Sequence, residues 1–316
     1  GMARAREGGR THRRMQKEGG ERYRAEVFLR HTQEYQGFLF TVEGRADGII
    51  AGEGAVTVDE IKTTRLDLAA VGEDFNRLHW AQALCYAYFY ALQNGQESMN
   101  VQLTYVHVNE FGDPDGTKRF LRSYALQELS AAFTQLLDRY KRWADFSCEW
   151  AAKRDASISA LSFPFPAYRR GQRSLAATVY RTIVEEGTAF CQAPTGIGKT
   201  VSTLFPAVKA MGEGVLSKIF YLTAKTITRQ AAEEAFAHMR EGGLAFKTVT
   251  LTAKDKICFL EETACNPEQC PYADGHYDRV NDVLFGLLQD GDHMTRERIE
   301  QAAREGRVCP FELALD

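Results

Sequence analysis

The 316 residues read as an α/β chain of two domains. Three observations predict this. Strand-like and helix-like segments alternate along most of the chain. A glycine-bearing loop, Ala193 to Thr200, falls between a short apolar run and an amphipathic run. Four of the seven cysteines lie in the last sixty residues, after that alternation stops. The length suits about two cores.

The first 24 residues carry Arg4, Arg6, Arg10, Arg13, Arg14, Lys17, Arg22 and Arg24, interleaved with glycines. They read as a basic flexible tail, with a nucleic-acid arm as the functional alternative. Gly1 ahead of Met2 reads as a cloning remnant. Residues 25–150 form the first predicted domain. Phe38–Val42 and Ala55–Val58 read as strands, turning at Ala51–Gly54. Phe75 to Leu92 reads as a helix ended by Asn94-Gly95. Val101–Val108 and Arg119–Tyr124 read as a second hairpin, and Leu126–Trp150 as a long amphipathic helix. Phe163-Pro164-Phe165-Pro166 cannot continue a helix, so residues 151–165 are expected to be a linker. Residues 166–257 then alternate: helix from Ser174, strand Thr188–Gln192, loop, helix to Ala210, strand Ser217–Thr223, helix Thr228–Met239. That order predicts a parallel sheet covered by helices.

The net charge of −3 disfavours a protein that coats DNA by charge alone. No stretch approaches the roughly 18 apolar residues of a membrane span, and the N-terminus has no secretory apolar core. A cytoplasmic protein without a membrane role is expected. Its cysteines are then thiols or ligands rather than disulfides.

Ala193-Pro194-Thr195-Gly196-Ile197-Gly198-Lys199-Thr200 is a P-loop. Its glycines let backbone N–H groups approach phosphate, and the following helix adds its N-terminal partial charge. Lys199 reaches the β- and γ-phosphates of ATP, and Thr200 reaches Mg²⁺. Ala193 stands where the motif has its first glycine. Cys258, Cys265, Cys270 and Cys309 follow with gaps of six, four and thirty-eight residues. Four thiolates suit an iron–sulfur cluster or zinc, and no pair has the close spacing of a zinc ribbon. Cys85, Cys148 and Cys191 read as core residues.

Gly44-Arg45-Ala46-Asp47-Gly48 ends one strand, and Val58-Asp59-Glu60-Ile61-Lys62 lies on the next. Glu60 and Lys62, two apart on a strand, share a face, and Asp47 can meet them. Asp47 and Glu60 can hold Mg²⁺ or Mn²⁺ with water in the other positions. On a hairpin alone such carboxylates are an ordinary solvated face. The next helix changes the reading, because Gln82, Tyr86 and His79 share one of its faces.

These motifs carry two resemblances. Asp47, Glu60-x-Lys62 and the Gln82-x-x-x-Tyr86 helix resemble the RecB-type branch of PD-(D/E)XK nucleases over roughly residues 25–145. The branch often has an upstream histidine ligand, for which His31 is the candidate. The P-loop, with Gln172 in the upstream segment Phe165 to Gln172 and with Tyr221 to Thr226 after it, resembles superfamily 2 helicases. An insertion ending in Cys309-Pro310-Phe311 looks like the iron–sulfur domain of XPD- and DinG-type helicases. The resemblances imply a PD-(D/E)XK nuclease-like α/β domain, then an incomplete RecA-like domain with a mostly helical, truncated iron–sulfur insertion (258–316). They imply ATP, Mg²⁺ or Mn²⁺ and a [4Fe–4S] cluster as cofactors. Single-stranded or branched DNA is the implied partner, with 5′ to 3′ translocation in repair or processing. The chain as given, ending inside the insertion, is expected to bind nucleotide weakly at best, to turn over no ATP, and to be partly unstable over residues 166–316 while the nuclease domain folds alone. The rival readings are a catalytically inactive nuclease fold that loads DNA onto a helicase, and a P-loop ATPase that remodels RNA or protein.

Overall fold

The computed structural model describes residues 2–52, 54–223 and 226–316. Glu53 of the expected turn and Ala224-Lys225 of the expected helicase motif lie outside the described residues, as do the side chains of Arg4, Arg6 and Thr226. The chain forms two compact units that divide between Arg142 and Trp143.

The first unit opens with a helix, α1 (Met2–Glu18), where the sequence reading expects a flexible tail. Thr11, Met15 and Gln16 of α1 are buried. Two of these three buried residues are polar, so the inward face carries little apolar stripe for periodicity to show. Next come β1 (Tyr23–Tyr35), β2 (Phe38–Ile50), β3 (Thr57–Thr64), α2 (Arg77–Asn94), β4 (Ser98–Val108), β5 (Pro114–Ala125) and α3 (Leu126–Ala160). The five strands form one sheet in sequence order. β3 and β4 pair parallel, and the other neighbours pair antiparallel. A parallel neighbour needs a crossover rather than a hairpin, and α2 supplies it. Asn76 caps α2 by accepting the Leu78 N–H at 2.9 Å, and Gly95 ends it in the left-handed conformation.

Register fixes which side chains share a face. Val58, Glu60 and Lys62 lie opposite Val101, Leu103 and Tyr105. Val58, Val101, Leu103 and Tyr105 belong to the main core, with Trp80 and Phe89 of α2 and Leu129 and Phe133 of α3. Ile61 and Val106 are buried on the other face with Met15 of α1. The unit is therefore a mixed sheet with α2 on one face and α1 on the other.

In the second unit, α3 continues without a break through the expected linker to Ala160. Ile158 is buried within α3 and Leu161 just past its end, so the helix keeps an apolar face beyond Trp150. The unit contains α4 (Gln172–Val184), α5 (Lys199–Gly212), α6 (Thr226–Glu241), β6 (Thr248–Val249), α7 (Lys254–Ile257), α8 (His276–Gln289), β7 (His293–Met294), α9 (Arg296–Gly306) and α10 (Pro310–Leu315). Val201, Leu204 and Val208 of α5 pack with Phe236 and Met239 of α6. A smaller core joins Ile257, Val280, Leu287, Ile299 and Leu313.

The parallel sheet expected here is not formed among the described residues. β6 and β7 make a two-stranded parallel pair. Thr188–Gln192 and Ser217–Thr223 are irregular, with Phe190 99% and Leu222 90% exposed. A strand becomes regular only through hydrogen bonds to a neighbour, and residues 188–192 and 217–222 form no sheet pairing among the described residues. Among the described residues no helix is long and apolar enough to cross a membrane.

Docking of α1 is the element of this fold least expected from the sequence, and it is testable. Met15→Ala is expected to cost roughly 2 kcal/mol or more in urea unfolding of the first unit. Arg10→Ala, on the exposed face, is expected to stay within about 0.5 kcal/mol. Equal, negligible effects would mean that α1 does not pack.

Candidate active site

The pairing of β2 with β3 stops at Gly48↔Asp59. Past that point the Ile61 N–H would lose its ladder partner. Asp47 takes its place, accepting the Ile61 N–H at Oδ2 over 2.8 Å. Two glycines bracket Asp47 and let aromatic rings close in. A Cβ at Gly48 would lie 2.0 Å from the Tyr23 hydroxyl, and one at Gly44 would lie 2.5 Å from the Tyr86 hydroxyl.

The other Asp47 oxygen, Oδ1, accepts from His12 Nδ1 at 3.1 Å. One turn on, Gln16 Nε2 donates to the Asp47 carbonyl at 3.0 Å and to Glu26 Oε1 at 3.0 Å. α1 thus holds Asp47 by both side chain and main chain. The hydrogen bond to Asp47 raises the His12 pKa above its ordinary value, against the effect of burial.

Glu60 is 2% exposed. Its Oε1 accepts from Lys62 Nζ at 2.8 Å. Its Oε2 is buried with no hydrogen-bond partner. Burial, and then the charge of Asp47, push the Glu60 carboxyl from 4.5 up to about 7, outweighing Lys62. Between those values the folded chain keeps a proton that the unfolded chain has lost. Stability therefore falls as pH rises through that window, and the whole penalty is present above about 7.

Lys62 also donates to Gln82 Oε1 at 2.9 Å, so a residue of α2 fixes the ammonium over the carboxylates. Tyr86, one turn further along α2, hydrogen-bonds Gln82, and burial raises its phenol pKa. Asp47, Glu60, Lys62, Gln82 and Tyr86 are thereby linked as one set. His79 is not part of it. Its Nδ1 shares a 2.9 Å hydrogen bond with Tyr105, and burial pushes its pKa down to about 4. His31 is not part of it either. It lies among the rings of Tyr88, Phe89 and Phe133. The upstream histidine at the carboxylates is His12, eleven residues inside a segment whose charge masked it.

A buried carboxylate oxygen without a donor, beside a second carboxylate, is a fitting seat for a divalent cation. Mg²⁺ needs only one or two carboxylates and keeps water elsewhere. Among the described residues no group of three His, Cys, Asp or Glu is placed to hold a metal ion. Two carboxylates, not a closed cage, are what the chain offers.

In the second unit, Gly196 and Gly198 have positive φ, and Gly198 is the N-cap of α5. The buried Gln172 amide sits where a Cβ on Gly198 would collide, 2.5 Å away. Pro194 and Thr195 lead into the turn, and Ile197 lies between its glycines. Lys199 Nζ donates to the carbonyls of Ala193 (2.9 Å) and Pro194 (3.3 Å). Thr200 shares a 3.4 Å contact with the Tyr221 hydroxyl. Phe165, Arg169, Gln172 and Gly198 line a cavity of about 280 Å³. The four late cysteines are free thiols. Cys270 is buried and Cys265 is exposed, while Cys309 caps α10 and donates its N–H to His276 Nδ1 at 3.1 Å. They do not converge into a ligand set. Cys85 is a core thiol, its pKa pushed to about 11 by burial, whereas Cys148 and Cys191 are exposed rather than core residues.

The sequence model of the PD-(D/E)XK nuclease superfamily matches residues 3–157. The solved structure described as SSO0001 aligns at 22% identity with a TM-score of 0.30, covering 41% of this chain and 56% of that one. No curated protein matches the sequence. The family match begins within α1 and takes in every residue of the carboxylate set, so residues 3–157 are a domain of the PD-(D/E)XK nuclease superfamily.

Proposed function

We propose that this domain is a divalent-cation-dependent nuclease acting on DNA, single-stranded or branched. The observation that carries the reading is the unpartnered, buried Glu60 Oε2 beside Asp47. Asp47 and Glu60 would hold Mg²⁺ or Mn²⁺. When bound, the cation supplies activation of water and neutralisation of charge on the phosphate. The chain supplies the rest. Lys62 has three donors, and two are spent on Glu60 and Gln82. The third is available to orient water or meet charge developing on a phosphate oxygen. Gln82 and Tyr86 keep the ammonium in place. His12 keeps Asp47 from turning away.

The fuller reading joins this nuclease to an ATP-driven iron–sulfur DNA helicase with the second unit as its start. What supports it is the P-loop sequence, the left-handed Gly198 at the head of α5, Gln172 beneath it, and the cysteine spacing. Lys199 and Thr200 would meet the phosphates and Mg²⁺ of ATP. The cysteines as they stand do not form a cluster site, so no step is routed through one.

Two outcomes test these readings. Full-chain protein is expected to cut single-stranded DNA only with Mg²⁺ or Mn²⁺, and Asp47→Ala or Glu60→Ala is expected to lower the rate at least ~10²-fold without unfolding. Equal cutting by both variants would assign the activity elsewhere, and no cutting by wild type would favour a DNA-loading module. Protein produced without oxygen is expected to carry about four irons per chain on Cys258, Cys265, Cys270 and Cys309. Stoichiometric zinc with no iron would reject the cluster.

A further inference from the structure

We propose that the outer face of α1 is the track that seats the phosphate backbone of the nucleic acid beside the cation site. The inference rests on the nuclease reading of that site.

α1 has two faces. Thr11, His12, Met15 and Gln16 turn inward, to Ile61, Val106 and Asp47. Arg10, Arg13, Arg14 and Lys17 turn outward, all exposed. Together with Glu18 they line an open concavity of about 440 Å³. The sequence of α1 holds six Lys and Arg against two Glu, a net charge of +4 in a chain whose total is −3.

An ordinary solvated helix face does not look like this. Arg10 with Arg14, and Arg13 with Lys17, are like charges four residues apart, which destabilises a helix. Among the described side chains of α1, Arg14 pairs with Glu18 at 3.2 Å. Both partners are more than half exposed, and a screened surface pair of that kind contributes little. The arrangement opposes the helix, and a polyanion on the outer face would relieve it.

The position of α1 gives the charge a use. The same two turns that carry the cations outside carry His12 and Gln16 inside, and both grip Asp47. A strand lying along the outer face passes about one helix diameter, ~10 Å, from Asp47, which the inner face of α1 touches. The side chains rise one turn at a time, about 5.4 Å, so Arg10, Arg13 or Arg14, and Lys17 can meet successive phosphates. Phosphate contacts set register without reading sequence, which suits a nuclease that must place any backbone over one site.

The test separates binding from cutting. Affinity of the full chain for a mixed-sequence single-stranded oligonucleotide is measured in EDTA across a salt series. Substitution of Arg10, Arg13, Arg14 and Lys17 by Gln is expected to weaken binding about tenfold or more, and to lower the slope of log K on log salt by about 2, for three successive phosphates at roughly 0.7 each. Arg10→Gln alone and Lys17→Gln alone are each expected to lower the slope by roughly 0.7, a readout independent of whether the fourfold variant folds. Lysine at the three arginine positions is expected to retain binding. The comparison set Arg30, Arg45, Arg119 and Arg139, exposed elsewhere on the same unit, is expected to change neither quantity. An unchanged slope in the α1 variants, or an equal loss in the comparison set, overturns the proposal. Binding that depends on α1 in a wild-type protein that never cuts DNA with Mg²⁺ leaves the track standing and removes the nuclease reading. Cutting without any dependence of binding on α1 does the reverse.

Discussion

The hydrogen bond from the Ile61 N–H to Asp47 Oδ2 is the contact on which the candidate site depends. It sits where the β2–β3 ladder gives out. A buried amide at such a point needs an acceptor, because leaving it unpaired costs about 1–3 kcal/mol. A side-chain carboxylate in place of a main-chain carbonyl satisfies the amide and leaves a second oxygen free for other work. The end of a strand pairing thereby becomes the place where a charge is held with fixed orientation. Glu60 and Lys62 follow from the same geometry, because the parallel pairing with β4 sets them on the α2 face.

The site is arranged against stability. Glu60 is buried beside another carboxylate, with one oxygen unpartnered. Lys62 answers part of that charge, but its ammonium is divided between Glu60 and Gln82. A folded chain without a cation is therefore strained electrostatically above neutral pH, where Glu60 must ionise against burial and Asp47. A carboxyl perturbed by burial and a neighbouring charge is a candidate functional group. The opposite face of the sheet shows what a structural solution looks like. There Asp59 is also buried, and it accepts from Tyr23, Gln102 and Thr104.

Much of the site was legible in the sequence. Period-two spacing puts Glu60 and Lys62 on one face, and period-3.6 spacing puts Gln82 and Tyr86 on one face of a helix with a readable asparagine cap. What could not be read was α1. Its inward residues are Thr11, His12, Met15 and Gln16, so its buried stripe is mostly polar, and hydrophobic periodicity cannot find it. For the same reason His31 stood in for His12. His31 belongs to an aromatic cluster, and nothing in its neighbours along the chain announces that. The continuation of α3 past Trp150 was hidden by two prolines that act only from Pro164 onward. In the second unit, residues 188–192 and 217–222 have strand composition but join no sheet among the described residues. Composition states a preference, and pairing has to be supplied by other segments.

The central claim is that Glu60 and Asp47 are held for a divalent cation. Calorimetric titration of Mn²⁺ into the full chain, without nucleic acid, tests it most directly. A proton on Glu60 competes with the cation, so affinity is expected to weaken about tenfold for each pH unit below about 7, with proton release on binding near neutral pH. Glu60→Gln is expected to remove the proton release and most of the affinity. Binding that is independent of pH, or unchanged by Glu60→Gln, would contradict the account.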